Sequence, residues 1–532
     1  MGGANFQCVG GEDVDGLIGV KWQSEVQRSL GDAAAQRERK DFEMNDVTRR
    51  SFVGVAAAMG ASACVACNVA CADEALAVAT AKGSYADGAP ADLDWKGTPE
   101  NLFELGTSTM PLEELNRRRQ AYLDAQVDFV GEDGTVIPAW AVKVRCLIHS
   151  YGMGCGNTAV VATYDDILAT FDEDTAQAYI ETPMGVAFTK LDFSEKTGRS
   201  MEECEELCEY FADHGYLCRE ETNEGVRYHH VPFFQGVVEY HMREVLDDPL
   251  NYNLGVSGVD MLPHDMQTTG TPTFYAIPCD KSVVAEDAGV LPYDDIEKLV
   301  AEQTTFAIAP CYCRYTAIVK QLTAEGKVAG VDFPKLEDFA SGEFEEYFSP
   351  LCDQRVETCL MIGEEADYWM HLGIARPITK EQALEYMQRS RDDGFILEKN
   401  FSKHMGTICS CHADSCGIIA EWMSLGSPEA IGASQPFTQI SHYNLKVDTD
   451  VCLKCGTCAE RCPLHAITMD EATGLPVVNE MCFRCGQCAW VCPVGARKLV
   501  ERPAELNAPL PHDFLDDDNV KAAYRFEAGL IK

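Results

Sequence analysis

Eight cysteines near the C-terminal end of this 532-residue chain are spaced in a way that has few chemical uses. The pattern C-x2-C-x2-C-x3-C-P occurs twice, as Cys452, Cys455, Cys458 and Cys462-Pro463, then as Cys482, Cys485, Cys488 and Cys492-Pro493, with every cysteine recurring at an offset of 30. Three thiolates at this spacing can wrap one side of a compact inorganic core from a single tight loop, and a fourth must arrive from elsewhere. In this pattern the fourth cysteine of each run ligates the other cubane. The expected sets are therefore Cys452, Cys455, Cys458 and Cys492 for one 4Fe-4S cluster, and Cys462, Cys482, Cys485 and Cys488 for a second. Gly456 and Gly486 follow the second cysteine of each run, where a missing side chain lets the loop fold closely and leaves backbone N–H groups for the sulfurs. Pro463 and Pro493 withdraw a donor and redirect the chain.

A second group lies upstream: Cys311 and Cys313 followed by Arg314, then Cys352 and Cys359, then Cys409, Cys411, His412 and Cys416. Seven cysteines are more than one cubane uses. Two readings stand: a further cluster or mononuclear metal site drawn from these seven, or structural and redox cysteines without metal. Arg314 could donate to cluster sulfurs or cap a helix. His412 could replace a thiolate or serve a surface hydrogen bond.

The 25 cysteines come mostly in short-spaced groups, which favours metal over disulfides. Lys and Arg total 43 against 85 for Asp and Glu, a formal charge of -42 that repels nucleic acid. Such a surface is either simply solvated or offers a docking face to a basic partner. Length and composition suggest roughly two to four domains. There is no G-x-G-x-x-G fingerprint after a strand, no P-loop and no C-x-x-C-H haem site, so flavin or nicotinamide would reside on a partner.

The elements that must carry these residues are legible in part. Between the two C-terminal runs, Ala466 to Met469 and Pro476 to Val478 flank Gly474 and predict a β-hairpin. Ser200 and Glu203 predict a capping box, followed by Cys204, Leu207, Cys208 and Phe211 at helical spacing and a stop at Gly215. Cys204 and Cys208 fall on the buried stripe and read as core. Leu217 and Cys218, the turn Asn223-Glu224-Gly225, and Val226 to His229 predict a hairpin after that helix, the outline of a winged-helix domain. Nine acidic residues against two arginines between Met201 and His230 argue against DNA and for a scaffold. A second capping box, Thr379 to Gln382, predicts a helix ending at Gly394 with a strand after it. Beyond Arg502, three prolines and Asp516-Asp517-Asp518 predict an acidic tail that wraps the surface or stays mobile.

Residues 443–502 resemble the bacterial two-cluster ferredoxin domain. The C-x-C-R and I-C-x-C runs, taken with that domain over about residues 190–505, resemble ferredoxin-like iron–sulfur proteins of anaerobes, whose last run tends to be denser in cysteine where this chain has His412, Ala413 and Asp414. Asp46 to Gly60, with Arg49-Arg50 and Phe52 before a short apolar stretch, resembles a twin-arginine export signal, cleaved near Thr80 to Gly83. The stretch is too short to span a bilayer.

The expected architecture is α+β and multidomain, with winged-helix-like and helical cysteine-rich domains followed by a bacterial two-cluster ferredoxin fold. Its divisions are a mis-assigned extension over 1–43 with Met44 as the start, a signal peptide over 44–81, a helical and winged-helix-like domain over 82–300, and a cysteine-rich domain over 301–440. The ferredoxin domain over 443–502 and an acidic, proline-containing tail over 503–532 complete it. The resemblances imply an exported protein of the periplasm or cell envelope, relaying single electrons through two 4Fe-4S clusters, with a third centre as an addition. The partner would be a redox protein with a basic docking face, with no nucleic acid and no membrane span. The alternative is an oxidoreductase whose catalytic metal site lies in the middle cysteine region, fed by the ferredoxin module. A redox-sensing DNA-binding protein is opposed by charge and export.

Overall fold

The computed structural model describes residues 84–85, 108, 110–131, 134–152, 154, 164–242, 273–278, 294–325, 355–404, 406–424, 441–479, 481–501 and 510–531. Met44, Arg49, Arg50, Cys155, Cys279 and Cys352 lie outside the described residues. Five of the N-terminal helices are α1 (Leu112–Asp124), α2 (Ala139–His149), α3 (Glu173–Glu181), α4 (Lys190–Thr197) and α5 (Met201–Asp213), followed by the hairpin β1 (Leu217–Thr222) and β2 (Gly225–His230). Asp172 and Thr189 cap α3 and α4 with full capping boxes. The box expected at α5 forms only by half: the Glu203 N–H donates to Ser200 Oγ at 3.1 Å, but the Glu203 carboxylate turns to Arg199 at 2.6 Å because an ion pair is within reach. Cys204, Cys208 and Phe211 face the core. Gly215 turns the chain at φ +73°, where a Cβ would meet Tyr240 Cβ at 2.9 Å.

The middle of the chain is built on a six-stranded antiparallel sheet. Its strands and helices are β3 (Phe274–Ala276), α6 (Ile296–Ala301), β4 (Phe306–Pro310), α7 (Tyr312–Ala324), β5 (Glu357–Ile362), α8 (Glu364–His371), β6 (Arg376–Pro377), α9 (Lys380–Asp393), β7 (Ile396–Asn400), β8 (Thr407–Cys411) and α10 (Gly417–Ser424). The spatial order is β3-β7-β8-β5-β4-β6. This sheet takes strands from both sides of residue 300, so the expected division there runs through one structural unit. The reason is long-range pairing: β3 finds its partner in β7, more than a hundred residues on, a contact that local composition does not announce. Successive residues alternate between faces. Tyr275, Ile308, Leu360, Leu397 and Ile408 face one way and pack with Ile296 and Val300 of α6 and Ala383 and Met387 of α9. The residues between them face the other way and include the cysteines.

The C-terminal module pairs β9 (Tyr443–Val447) with β12 (Arg497–Glu501), and between them lie α11 (Thr457–Arg461), the hairpin β10 (Ile467–Met469) and β11 (Pro476–Val478), and α12 (Gln487–Trp490). The residues after it correct the expectation of a surface tail. Phe514–Glu527 form the helix α13, capped by Asp513, which accepts from the Asp516 N–H at 2.9 Å. Its Ala522, Ala523 and Phe526 join the N-terminal core, and Arg525 donates to the His149 carbonyl at 2.6 Å. Asp517 is buried with Lys521 as its ion pair, so part of the acidic run serves an interior rather than a solvated face. Among the described residues no helix is long and apolar enough to cross a membrane.

Candidate iron–sulfur sites

Each cysteine run in the C-terminal module bends at the same two places. Lys454 and Arg484 take left-handed φ values of 56° and 54°, and Gly456 and Gly486 take 81° and 82°. Two left-handed residues inside a seven-residue stretch coil the backbone so tightly that its three sulfurs turn toward one centre. Lys454 and Arg484 adopt this conformation at a cost of about 1–2 kcal/mol each, which something held by the loop must offset. At Gly456 no atom lies within 4 Å of a Cβ position, so backbone angle and not space requires glycine there. Backbone donors reach the sulfurs: the Ala466 N–H donates to Cys462 Sγ at 3.3 Å and the Ala496 N–H to Cys492 Sγ at 3.2 Å. The Lys454 N–H donates to Cys452 Sγ at 3.5 Å and the Thr457 hydroxyl to Cys455 Sγ at 3.4 Å.

Two hollows result. Cys452, Cys455, Cys458 and Cys492 line one, and Cys462, Cys482, Cys485 and Cys488 line the other. Four soft sulfur donors per hollow, each loop supplying three and the opposite run the fourth, with N–H groups aimed at the sulfurs, fit a cubane cluster in each. The family model of the 4Fe-4S dicluster domain matches residues 445–499. The chain therefore carries two 4Fe-4S clusters and an iron–sulfur electron-transfer role. No curated protein and no solved structure matches the chain.

The dicluster domain is seated with one loop outward and the other inward. Its inner side is fixed by polar contacts to the end of α9 and to Phe395, which leads into β7. Arg461 donates to the carbonyls of Arg391 and Asp392 at 2.5 and 2.6 Å, placing a cation on the C-terminal end of α9 where the helix dipole favours one. Gln487 donates to the Phe395 carbonyl at 2.6 Å, and Trp490 Nε1 to Asp392 Oδ1 at 3.3 Å. Phe483 is buried in one apolar cluster with Phe234, Phe274 and Ile418. Burial pushes the Cys488 thiol up to about 12, and Arg497 donates to its sulfur at 3.8 Å. By contrast Cys455 is exposed and the Thr457 hydroxyl holds its thiol below the ordinary value.

Six of the seven upstream cysteines also converge. Across neighbouring strands Ala276, Glu398, Cys409, Cys359 and Ala309 form one row, each opposite the next, so their side chains share a face of the sheet. Cys411 follows two residues after Cys409 on that face, Cys311 two residues after Ala309, and Cys313 sits in the first turn of α7. The thiols hydrogen-bond in a line: Cys313 to Cys311, Cys311 to Cys359, Cys359 to Cys409, Cys409 to Cys411, and Cys411 to Cys416. Bonds from Cys313 and Cys359 hold the Cys311 thiol well below its ordinary value, and bonds from Cys359 and Cys411 lower Cys409 to about 6. The same bonds raise Cys313, Cys359 and Cys411. All six are buried or half-buried.

Arg314 is buried beside this thiol basket. Its backbone N–H bonds to Cys311, but its guanidinium donates to the Arg355 carbonyl and to Ser415 Oγ (3.3 Å), and lies over Phe395 at 4.8 Å. It ties the start of α7 to the loop before Cys416. His412 is half-buried, with Nδ1 2.8 Å from Asp414 and its ring edge-on to Phe395. Two carboxylates escaped the sequence reading. Glu398 is fully buried on β7 with burial pushing it up to about 8, and Glu239, also buried, is raised to about 8 for the same reason. The charged pair Glu398-Lys399 directly after the apolar run Phe395-Ile396-Leu397 was the available signal.

Proposed function

We propose that this protein is an electron-transfer protein, or the electron-transfer subunit of an exported oxidoreductase system, in which the dicluster domain connects a solvent-facing loop to the protein interior. The observation that carries the reading is the seating of the domain: the Cys452–Cys458 loop lies at the surface, while in the second loop Phe483, Gly486, Gln487 and Cys488 are buried and Cys482 and Cys485 half-buried. In this reading Cys452, Cys455, Cys458 and Cys492 hold the outer cluster, and Cys462, Cys482, Cys485 and Cys488 the inner one. When bound, the clusters supply one-electron chemistry. The polypeptide positions them, shields the inner one more than the outer and directs N–H donors at the sulfurs, which sets their potentials.

Leu453 is 61% exposed and Val451 and Val494 are 47% and 41% exposed, an apolar rim around the outer loop suited to a redox partner. The charge of -42 favours a partner whose docking face is basic. Export through the twin-arginine route, which carries folded proteins, suits a chain whose clusters are inserted first; it rests on Arg49 and Arg50. Helices α3 to α5 with the β1–β2 hairpin are taken as a winged-helix-like scaffold, and its acidic surface disfavours DNA. The rival reading of the upstream cysteines as a catalytic metal site is opposed by the burial of Cys359, Cys411 and Cys416 and by His412, which is turned to Asp414.

The test is iron and acid-labile sulfide per chain on anaerobically purified protein, with electron paramagnetic resonance of the dithionite-reduced form. At least about eight irons and the interacting signals of two reduced cubanes are expected. Fewer than eight in fully loaded protein, or clusters that dithionite leaves oxidised, would sink the relay.

A further inference from the structure

The thiol basket is a buried set of soft ligands with more capacity than any structural cysteine needs. Its six sulfurs come from β4 to α7, from β5, from β8 and from the loop after β8, so residues up to 105 positions apart in sequence are brought onto one face of the sheet. The positions flanking them in the row are Ala276 and Ala309, whose small side chains leave room on that face. Glu398 adds an independent sign of a ligand. Its Oε2 lies 4.0 Å from Cys416 Sγ, one of its carboxylate oxygens and the sulfurs of Cys411 and Cys416 lie within 4.8 Å of one another, and Oε1 is buried with no hydrogen-bond partner among the described residues. A buried carboxylate oxygen without a partner is costly, and a bound electrophile beside the thiols removes that cost.

The shape of the basket bears on what it holds. A tetrathiolate zinc site, with Zn–S of about 2.3 Å, brings its four sulfurs to roughly 3.8 Å from one another. Here no three of the six sulfurs lie mutually within 4.8 Å; they run in a line, each touching the next. An extended set of this kind suits the several metal atoms of a cluster better than one ion. The basket also shares an apolar cluster with the dicluster domain. Cys409, Cys411 and Cys416 belong to the same apolar contact cluster as Cys462, Cys482 and Cys485, with Ala466 and Phe483 among the residues that complete it.

We propose that the thiol basket holds a third iron–sulfur centre and that it exchanges single electrons with the inner cluster of the dicluster domain. The inference rests on the relay reading above and extends it to a defined terminus inside the chain. The transfer is balanced as one electron: an electron that a one-electron donor has placed on the inner cluster leaves it, returning it to its oxidised state, and reduces the third centre. No bond is broken and no proton moves.

The experiment compares the full-length wild type with Cys359→Ser/Cys409→Ser, both purified anaerobically and assayed for iron, zinc and sulfide, then reduced with dithionite for electron paramagnetic resonance and Mössbauer spectroscopy. The wild type is expected to hold about twelve irons, and the variant about eight with the two ferredoxin signals intact. Magnetic coupling between the inner cluster and the third centre should broaden the wild-type spectrum and vanish in the variant. About eight irons in a wild type with both ferredoxin signals would overturn the third centre while leaving the relay standing, as would one zinc per chain in its place. Fewer than eight would overturn the relay itself. A twelve-iron protein whose third centre stays oxidised while the inner cluster is reduced, or shows no coupling to it, would overturn the electron contact. The iron count and spectra of the wild type decide the matter even where the variant does not fold.

Discussion

The two cysteine loops of the dicluster domain are copies in sequence and opposites in environment. Leu453 in the first loop is 61% exposed; its counterpart thirty positions on, Phe483, is 2% exposed. Cys458 is half-buried and Cys488 buried, Thr457 half-buried and Gln487 buried. The backbones hardly differ, with Lys454 and Arg484 at nearly the same left-handed φ and the glycines likewise. Local loop geometry is therefore a property of the motif, whereas exposure is a property of where the motif is docked. That difference turns a symmetric pair of sites into an outer and an inner one, the asymmetry on which the proposed relay rests.

The comparison can be broken most sharply at the ligands. Cys458→Ser and Cys488→Ser are each expected to remove about four irons, but only the inner substitution should also lower the melting temperature strongly, because an inner site left unfilled opens the interface to α9. Differential scanning calorimetry alongside iron analysis checks this, and equal destabilisation by both would contradict the inner and outer assignment. Next in size, Phe483→Ala should cost about 3–5 kcal/mol by emptying a packed site, while Leu453→Ala should stay within about 0.5 kcal/mol; urea titration of both measures the contrast. Arg461→Ala removes a cation from the end of α9 and should cost about 1.5–3 kcal/mol, with the iron content unchanged. The smallest effect on stability and the most telling on function is Leu453→Asp. It should leave the fold and both clusters intact but slow electron exchange with a protein partner, measured by stopped-flow, without slowing reduction by dithionite. Raising the salt concentration should slow the same partner reaction, since exposed charges beyond about 8–10 Å are screened.

A second contrast lies between the dicluster domain and the upstream thiols. The former is built from residues close in sequence: two runs and a hairpin that the spacing and Gly474 announced, and β10 and β11 appear where expected. The latter is assembled by strand register. Cys359 stands opposite Cys409, and Cys409 opposite Glu398, because β5, β8 and β7 pair in that alignment. A slip of one residue would send each of these side chains to the opposite face, into the layer of Ile308, Leu360 and Leu397. The same contrast explains the two corrections to the expected architecture. The division at residue 300 overlooked the pairing of β3 with β7, and the acidic tail became the helix α13 because Ala522, Ala523 and Phe526 meet a core formed from α1 and α2, some four hundred residues earlier. Helix ends were more legible: Thr379 with Gln382 and Gly394 bound α9 as capping chemistry predicts.

By itself, then, the amino-acid sequence determined the eight cysteines that line the two hollows, their looped geometry and the hairpin between them, because a cysteine loop of seven residues is governed by local steric preference. Only the tertiary structure decided which loop faces solvent, which six of the upstream cysteines share one surface, and that Glu398 stands beside them without a full set of partners. Those outcomes depend on strand register and on the burial of apolar faces contributed by distant segments, and the free energy of that burial belongs to pairs of segments rather than to either one alone.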